Sequence, residues 1–119
     1  METMLPGLLT QVNAGKLSLE RLVALTCENP ARVFALFPRK GTLNVGADAD
    51  IVIVDMQKVS VVRTAQMFTK ARPAERWFHE ATMRGMPEVT IVRGTPIFDR
   101  GRILVDPGHG RFLRPGQPA

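Results

Sequence analysis

Among the side chains whose types suit metal ligation, acid–base work or nucleophilic attack, three aspartates beside one strand, two histidines and the single cysteine stand out. Asp48, Asp50 and Asp55 flank the β-branched run Ile51–Val54, and carboxylates that converged there would suit a cation. Asp beside a strand more often accepts backbone N–H bonds in turns, and turn capping is the expectation for all three. His79 and His109 stand 30 positions apart, neither in a His-x-His pair. Zinc needs about three or four partners, so His109, set between Gly108 and Gly110, is expected to be an exposed loop histidine that helps dock the tail. Cys27 falls beside apolar residues at helical spacing and has no Cys–His arrangement, which reads as a buried structural thiol. Trp77 and Phe78 with His79 form a small aromatic group, expected to pack under a loop. Residue types and spacing therefore assign no catalytic, cofactor-binding or metal residue.

The whole sequence narrows the classes further. Its 119 residues fit one domain. An apolar fraction of 45% with 23% charged residues is that of a folded protein and excludes a disordered one. A single cysteine excludes an intrachain disulfide. Only 6% of residues are aromatic and none is tyrosine, which weighs against a base-stacking surface. The net charge of +5 invites a nucleic-acid reading, but the basic residues are scattered. The densest stretch, Arg100, Arg102, Arg111 and Arg114, never reaches the run of about five or six like charges that marks an interaction tail. A solvated surface is expected instead, with no nucleic-acid partner. The longest apolar runs, such as Ile51–Val54, are far shorter than the ~20 residues of a membrane helix. Met1–Pro6 has no basic leader, so a cytoplasmic location and no membrane partner are expected.

The pattern that must position these residues changes near Pro38. Before it, apolar residues recur at helical spacing. Met4, Leu5, Leu8, Leu9 and Val12 form one stripe, with Pro6 tolerable in the first turn and Gly15 suited to the C-cap. Ser18 reads as the N-cap of a second helix with Leu19, Leu22, Val23 and Thr26 buried. Asn29-Pro30 reads as the start of a third, carrying Ala31, Val33, Phe34 and Phe37. After Pro38 five strands are expected: Ile51–Val54, Val59–Arg63, Glu88–Arg93, Pro96–Asp99 and Arg102–Val105. Arg93-Gly94-Thr95 and Asp99-Arg100-Gly101 are turns in which glycine is free to take positive φ, and Gly46 is a further such position. The stretch 68–87 reads as loop with a helical piece around Ala74–Met83.

The order of the motifs carries more than any one of them. Glu2-Thr3-Met4-Leu5-Pro6 is followed by Leu17-Ser18-Leu19-Glu20-Arg21-Leu22-Val23, Glu28-Asn29-Pro30-Ala31-Arg32, Lys40-Gly41-Thr42 and Gly46-Ala47-Asp48-Ala49-Asp50-Ile51-Val52. Thr90-Ile91-Val92-Arg93-Gly94 and Pro107-Gly108-His109-Gly110-Arg111-Phe112-Leu113 come last. This series resembles the C-terminal part of the cyclic amidohydrolases: dihydroorotases, allantoinases and hydantoinases. The likeness is weakest over 56–83.

The resemblance implies an α+β chain. Residues 1–38 would be helices resembling the end of a TIM barrel, 39–106 a small, mostly antiparallel portion of a β-sandwich, and 107–119 a C-terminal tail. It also implies a parent chemistry, hydrolysis of a cyclic amide by water that a binuclear zinc centre activates. The family's ligand motifs belong upstream of Met1, so zinc is implied for the full-length family and no cofactor for this chain. The chain is expected to be the structural C-terminal portion of such an enzyme, inactive alone. Its expected partners are the missing barrel portion or further copies of itself in a homo-oligomer. A stand-alone, non-catalytic interaction domain is the alternative. The motifs do not name the ring that is opened.

Overall fold

Glycine at turns and β-branched residues between them set the sheet, while the apolar stripes before Pro38 set the helices. The structure is a computed structural model describing residues 2–115. Its strands are β1 (Ile51–Val61), β2 (Thr82–Val92), β3 (Thr95–Asp99) and β4 (Arg102–Ile103), hydrogen-bonded in the order β1-β2-β3-β4. β1 and β2 run in opposite directions: Gly94 N–H donates to Ala49 O at one end and Val62 N–H to Ala81 O at the other. Two-residue turns join β2 to β3 and β3 to β4, with Val92 opposite Thr95 and Asp99 opposite Arg102. Both central residues of each turn have positive φ (Arg93 49°, Gly94 76°; Arg100 42°, Gly101 88°). That conformation matches the twist of the flanking strands. The β2–β3 register shifts between Thr90 and Ile91, which leaves Ile97 as a bulge.

The expected α+β class holds, with local corrections. Ile51–Val54 and Val59–Arg63 are one strand through Val61 rather than two. Asp55 does not end it. Its Oδ1 accepts N–H bonds from Gln57 and Lys58 while the chain stays extended. In the stretch read as loop and helix, a 3₁₀ helix covers Arg72–Phe78, but β2 has begun by Thr82. Pairing with β1 outweighs local preference there. The second and third helices are not separated by a cap. α2 (Leu19–Val23), a π-helical segment (Ala24–Glu28) and α3 (Asn29–Val33) follow without a break, and Asn29 has helical dihedrals. Pro30 lacks an N–H, and the helix widens just before it.

The chain forms two interleaved units, Met1–Leu19 with Val54–Pro87 and Glu20–Ile53 with Glu88–Ala119. In the first unit α1 (Met4–Asn13) lies against the strands through Leu9, 1% exposed. Pro6, Met67 and Met83 are buried in the same unit. Gly15 closes α1 as expected: at φ 69° its N–H donates to Val12 O, and Lys16 N–H donates to Gln11 O. Polar side chains complete the attachment. Thr10 Oγ1 accepts from Arg84 N–H at 2.9 Å, and Asn13 Nδ2 lies 3.1 Å from Met56 O and 3.2 Å from Arg84 O. Two strands thus hang on one amide. Glu2 accepts N–H bonds from Phe68 and Thr69.

In the second unit Leu22 and Ala31 are the buried apolar side chains among the described residues. Gly41, at φ 82°, lies against the helix so closely that a Cβ would meet Ala31 Cβ at 2.7 Å and Cys27 O at 2.8 Å. Arg32 pairs with Glu28 at 2.8 Å and lies 3.7 Å from the Phe37 ring centroid. The expected buried faces are only partly covered. Leu19, Val23, Val33 and Phe34 are exposed, as the helix has no apolar partner over them among the described residues. Within those residues no helix is long and apolar enough to cross a membrane.

Candidate functional site

Charged side chains converge in the second unit, where four separate pieces of sequence meet. The loop after α3 supplies Arg39 and Lys40, the segment before β1 supplies Asp48 and Asp50, the β2–β3 turn supplies Arg93, and the tail supplies His109. Asp48 Oδ2 lies 2.9 Å from Arg39 Nε and 2.8 Å from Lys40 Nζ. Lys40 Nζ also contacts Asp50 Oδ2. The other oxygen of Asp50 accepts the Arg93 N–H at 2.8 Å, and Arg93 Nη2 donates to His109 O at 2.6 Å. Asp48 N–H returns to Arg39 O at 2.9 Å. The chain of contacts therefore runs from loop to strand entry to turn to tail.

Electrostatics fix the charge states. Burial acts to depress the Lys40 pKa, but the hydrogen bonds and charges of Asp48 and Asp50 outweigh it and hold the ammonium above lysine's ordinary range. For Asp48 the Lys40 hydrogen bond is the largest influence. With Arg39 it keeps the carboxyl below the usual carboxylate range against a burial effect of opposite sign. Both groups move away from neutrality, whereas proton transfer in catalysis needs a pKa near the working pH. The arrangement suits holding loops in place, not moving protons.

The residues singled out from the sequence fare differently. Asp48 and Asp50 come together, but as ion-pair partners, with Asp50 also capping the Arg93 N–H. Asp55 accepts the Gln57 and Lys58 N–H bonds, but inside β1 rather than in the turn expected. Gly46 and Gly94 have the positive φ expected, 93° and 76°. His109 is half-buried, not exposed, because Arg93 draws its carbonyl inward, and its Nε2 is buried with no hydrogen-bond partner among the described residues. Cys27 is exposed, not buried, since the helix face that carries it is uncovered. Trp77 is 81% exposed and packs under no loop. His79 Nδ1 lies 3.2 Å from Thr64 Oγ1. The sequence reading missed Arg39, Lys40 and Arg93. The signal for Arg93 was its place in a turn that favours Asn or Gly, where an arginine invites a question.

Among the described residues no three of His, Cys, Asp and Glu converge where an ion could be held. The two converging carboxylates are already neutralised by Lys40 and Arg39. A profile of the Amidohydrolase family matches residues 1–97.

The chain belongs to the amidohydrolase family.

It is 43% identical over 114 residues to an L-hydantoinase of Paenarthrobacter aurescens, covering 95% of this chain and 24% of that protein. It is 40% identical over 108 residues to a rat dihydropyrimidinase, covering 90% of this chain and 20% of that protein. The solved structure titled L-hydantoinase (dihydropyrimidinase) from Arthrobacter aurescens superposes with a TM-score of 0.84 at 43% identity, over 92% of this chain and 24% of that one. The chain thus spans under a quarter of the length of these amidohydrolases, and its α+β fold is theirs over that span.

Proposed function

We propose that this chain is the C-terminal structural portion of a metal-dependent cyclic amidohydrolase, and that the metal centre is supplied by the part of such a protein that this chain does not contain. The observation that carries the reading is the pairing of near-complete similarity over this chain with coverage of about a quarter of the relatives. The pairing of the carboxylates supports it: those that converge are already bound to cations, and no ligand cluster forms among the described residues. The substrate class of the whole enzyme is a five- or six-membered cyclic amide of the hydantoin or dihydropyrimidine type, on the strength of the relatives' names. The family's metal, by resemblance zinc, would activate the attacking water. The chain's own task is positional, presenting helices and sheet against the remainder or against further copies of itself.

The test is direct. The purified chain is dialysed with zinc and assayed for metal content and for ring opening of hydantoin and dihydrouracil. The reading expects no stoichiometric zinc and no turnover above the buffer rate. About one zinc per chain held at sub-micromolar affinity, or metal-dependent turnover, would overturn it.

A further inference from the structure

After β4 the Leu104 N–H donates to Ile97 O at 2.9 Å, and the described residues beyond it have no regular structure, yet a contact ties them down. Arg93 Nη2 donates to His109 O at 2.6 Å, a charge-assisted bond of the short, strong kind. Arg93 is itself fixed at two points. Its N–H is held by Asp50 Oδ1 at 2.8 Å, and Gly94 N–H is held by Ala49 O at 2.9 Å. Asp50 is in turn held by Lys40. Behind the contact lies a second observation, the buried Nε2 of His109 with no partner among the described residues. A buried imidazole nitrogen without a partner is costly, so something must hold the segment down against the pull of water.

We propose that Arg93 is a clasp that fastens the 106–115 segment as a strap over the β2–β3 turn, keeping His109 half-buried. The device has two states. Fastened, the Arg93 guanidinium holds the His109 carbonyl and Nε2 is sealed from water. Released, the imidazole regains water and the segment becomes free chain. This goes beyond the structural role proposed above and does not depend on it, since all its parts lie in this chain. The molecule also contains its own control. Arg100 occupies the equivalent position of the next turn, at φ 42°, but its Nε donates to the adjacent Asp99.

The test is cleavage by an arginine-specific protease. Cutting after Arg111 requires the chain on both sides of the bond, His109 included, to become extended. Cutting after Arg76 is the internal reference, and the readout is the ratio of the two rates by mass spectrometry. Arg93→Gly removes the clasp and eases the backbone, and Arg100→Gly eases the backbone and removes the Arg100–Asp99 pair without touching the Arg93–His109 bond. The clasp predicts that Arg93→Gly raises the ratio about tenfold, the scale of one lost charge-assisted hydrogen bond, while Arg100→Gly leaves it unchanged. An unchanged ratio in folded Arg93→Gly, or an equal rise in Arg100→Gly, would overturn the proposal. If Arg93→Gly does not fold, Arg93→Asn takes its place, a residue that tolerates positive φ and is too short to reach His109. The ratio must rise in that variant as well, and an unchanged ratio in folded Arg93→Asn would overturn the proposal.

Discussion

Replacing Gly85 by alanine isolates what holds α1 to the sheet. Gly85 lies in β2 at φ 99°, a conformation that L residues rarely adopt. A Cβ added there would sit 2.6 Å from Leu9 Cβ and 3.4 Å from Leu9 Cδ1. Two costs follow. Forcing an L residue into that backbone costs about 1–3 kcal/mol. Moving the helix, or the side chain that is 1% exposed at its centre, costs a further ~1–3 kcal/mol as overpacking. Gly94→Ala separates the two, since Gly94 has φ 76° but nothing within 4 Å of an added Cβ. Strain alone applies there, about 1 kcal/mol. Urea denaturation followed by far-ultraviolet circular dichroism should rank Gly85→Ala below Gly94→Ala by at least ~1 kcal/mol. Equal losses in the two variants would refute the claim that close approach of α1 to β2 is what Gly85 serves.

Further outcomes follow from other contacts. Asn13→Ala, which strips the amide from Met56 O and Arg84 O, should cost about 1–2 kcal/mol in the same titration. Asp48→Asn should cost about 1 kcal/mol near neutrality after allowance for solvent screening. Its sign with pH is fixed: the Asp48 pKa is lowered from 3.8, so its stabilisation is present above that value and lost as pH falls through the depressed one. The Lys40 pKa is raised from 10.5, so its stabilisation is present below that value and lost as pH rises through the raised one. The difference between Asp48→Asn and the unaltered chain should therefore vanish in strong acid. Sedimentation at low micromolar concentration should show association beyond the monomer, because Val33, Phe34, Leu43, Val45 and Trp77 are all exposed. A single monomeric species without dye-accessible apolar surface would count against that.

Where one residue type has one conformational use, the sequence was legible. Gly15 had to end α1, and Arg93-Gly94 and Arg100-Gly101 had to be turns, because positive φ has few takers. The run Ile51–Val54 could only be strand, although its extent could not be read, because Asp55 bends its side chain back without ending the pairing. The failures share one cause. Burial of Cys27, Val33, Phe34 and Trp77 was inferred from apolar character, but burial depends on what lies over a residue. Periodicity marks the face that wants cover without supplying the cover. The candidate site was half legible. Asp48 and Asp50 stood out as carboxylates, but their cations come from 39–40, and the Arg93–His109 contact depends on how the tail returns to the turn. Spacing carries no trace of such a return. Family membership was legible because it rests on the order of many short motifs, each set by a turn or a cap.

The central claim is that this chain supplies frame and not chemistry to an amidohydrolase. Its most direct test is transplantation. The matching segment of the Paenarthrobacter aurescens L-hydantoinase, 43% identical over 114 residues, is replaced by this chain. Metal content and hydantoin ring opening are then measured on the folded chimera. The account predicts that metal is retained at the parent's stoichiometry and that ring opening persists, with losses confined to stability. A folded chimera that has lost its metal, or that keeps its metal and no longer opens the ring, would contradict it.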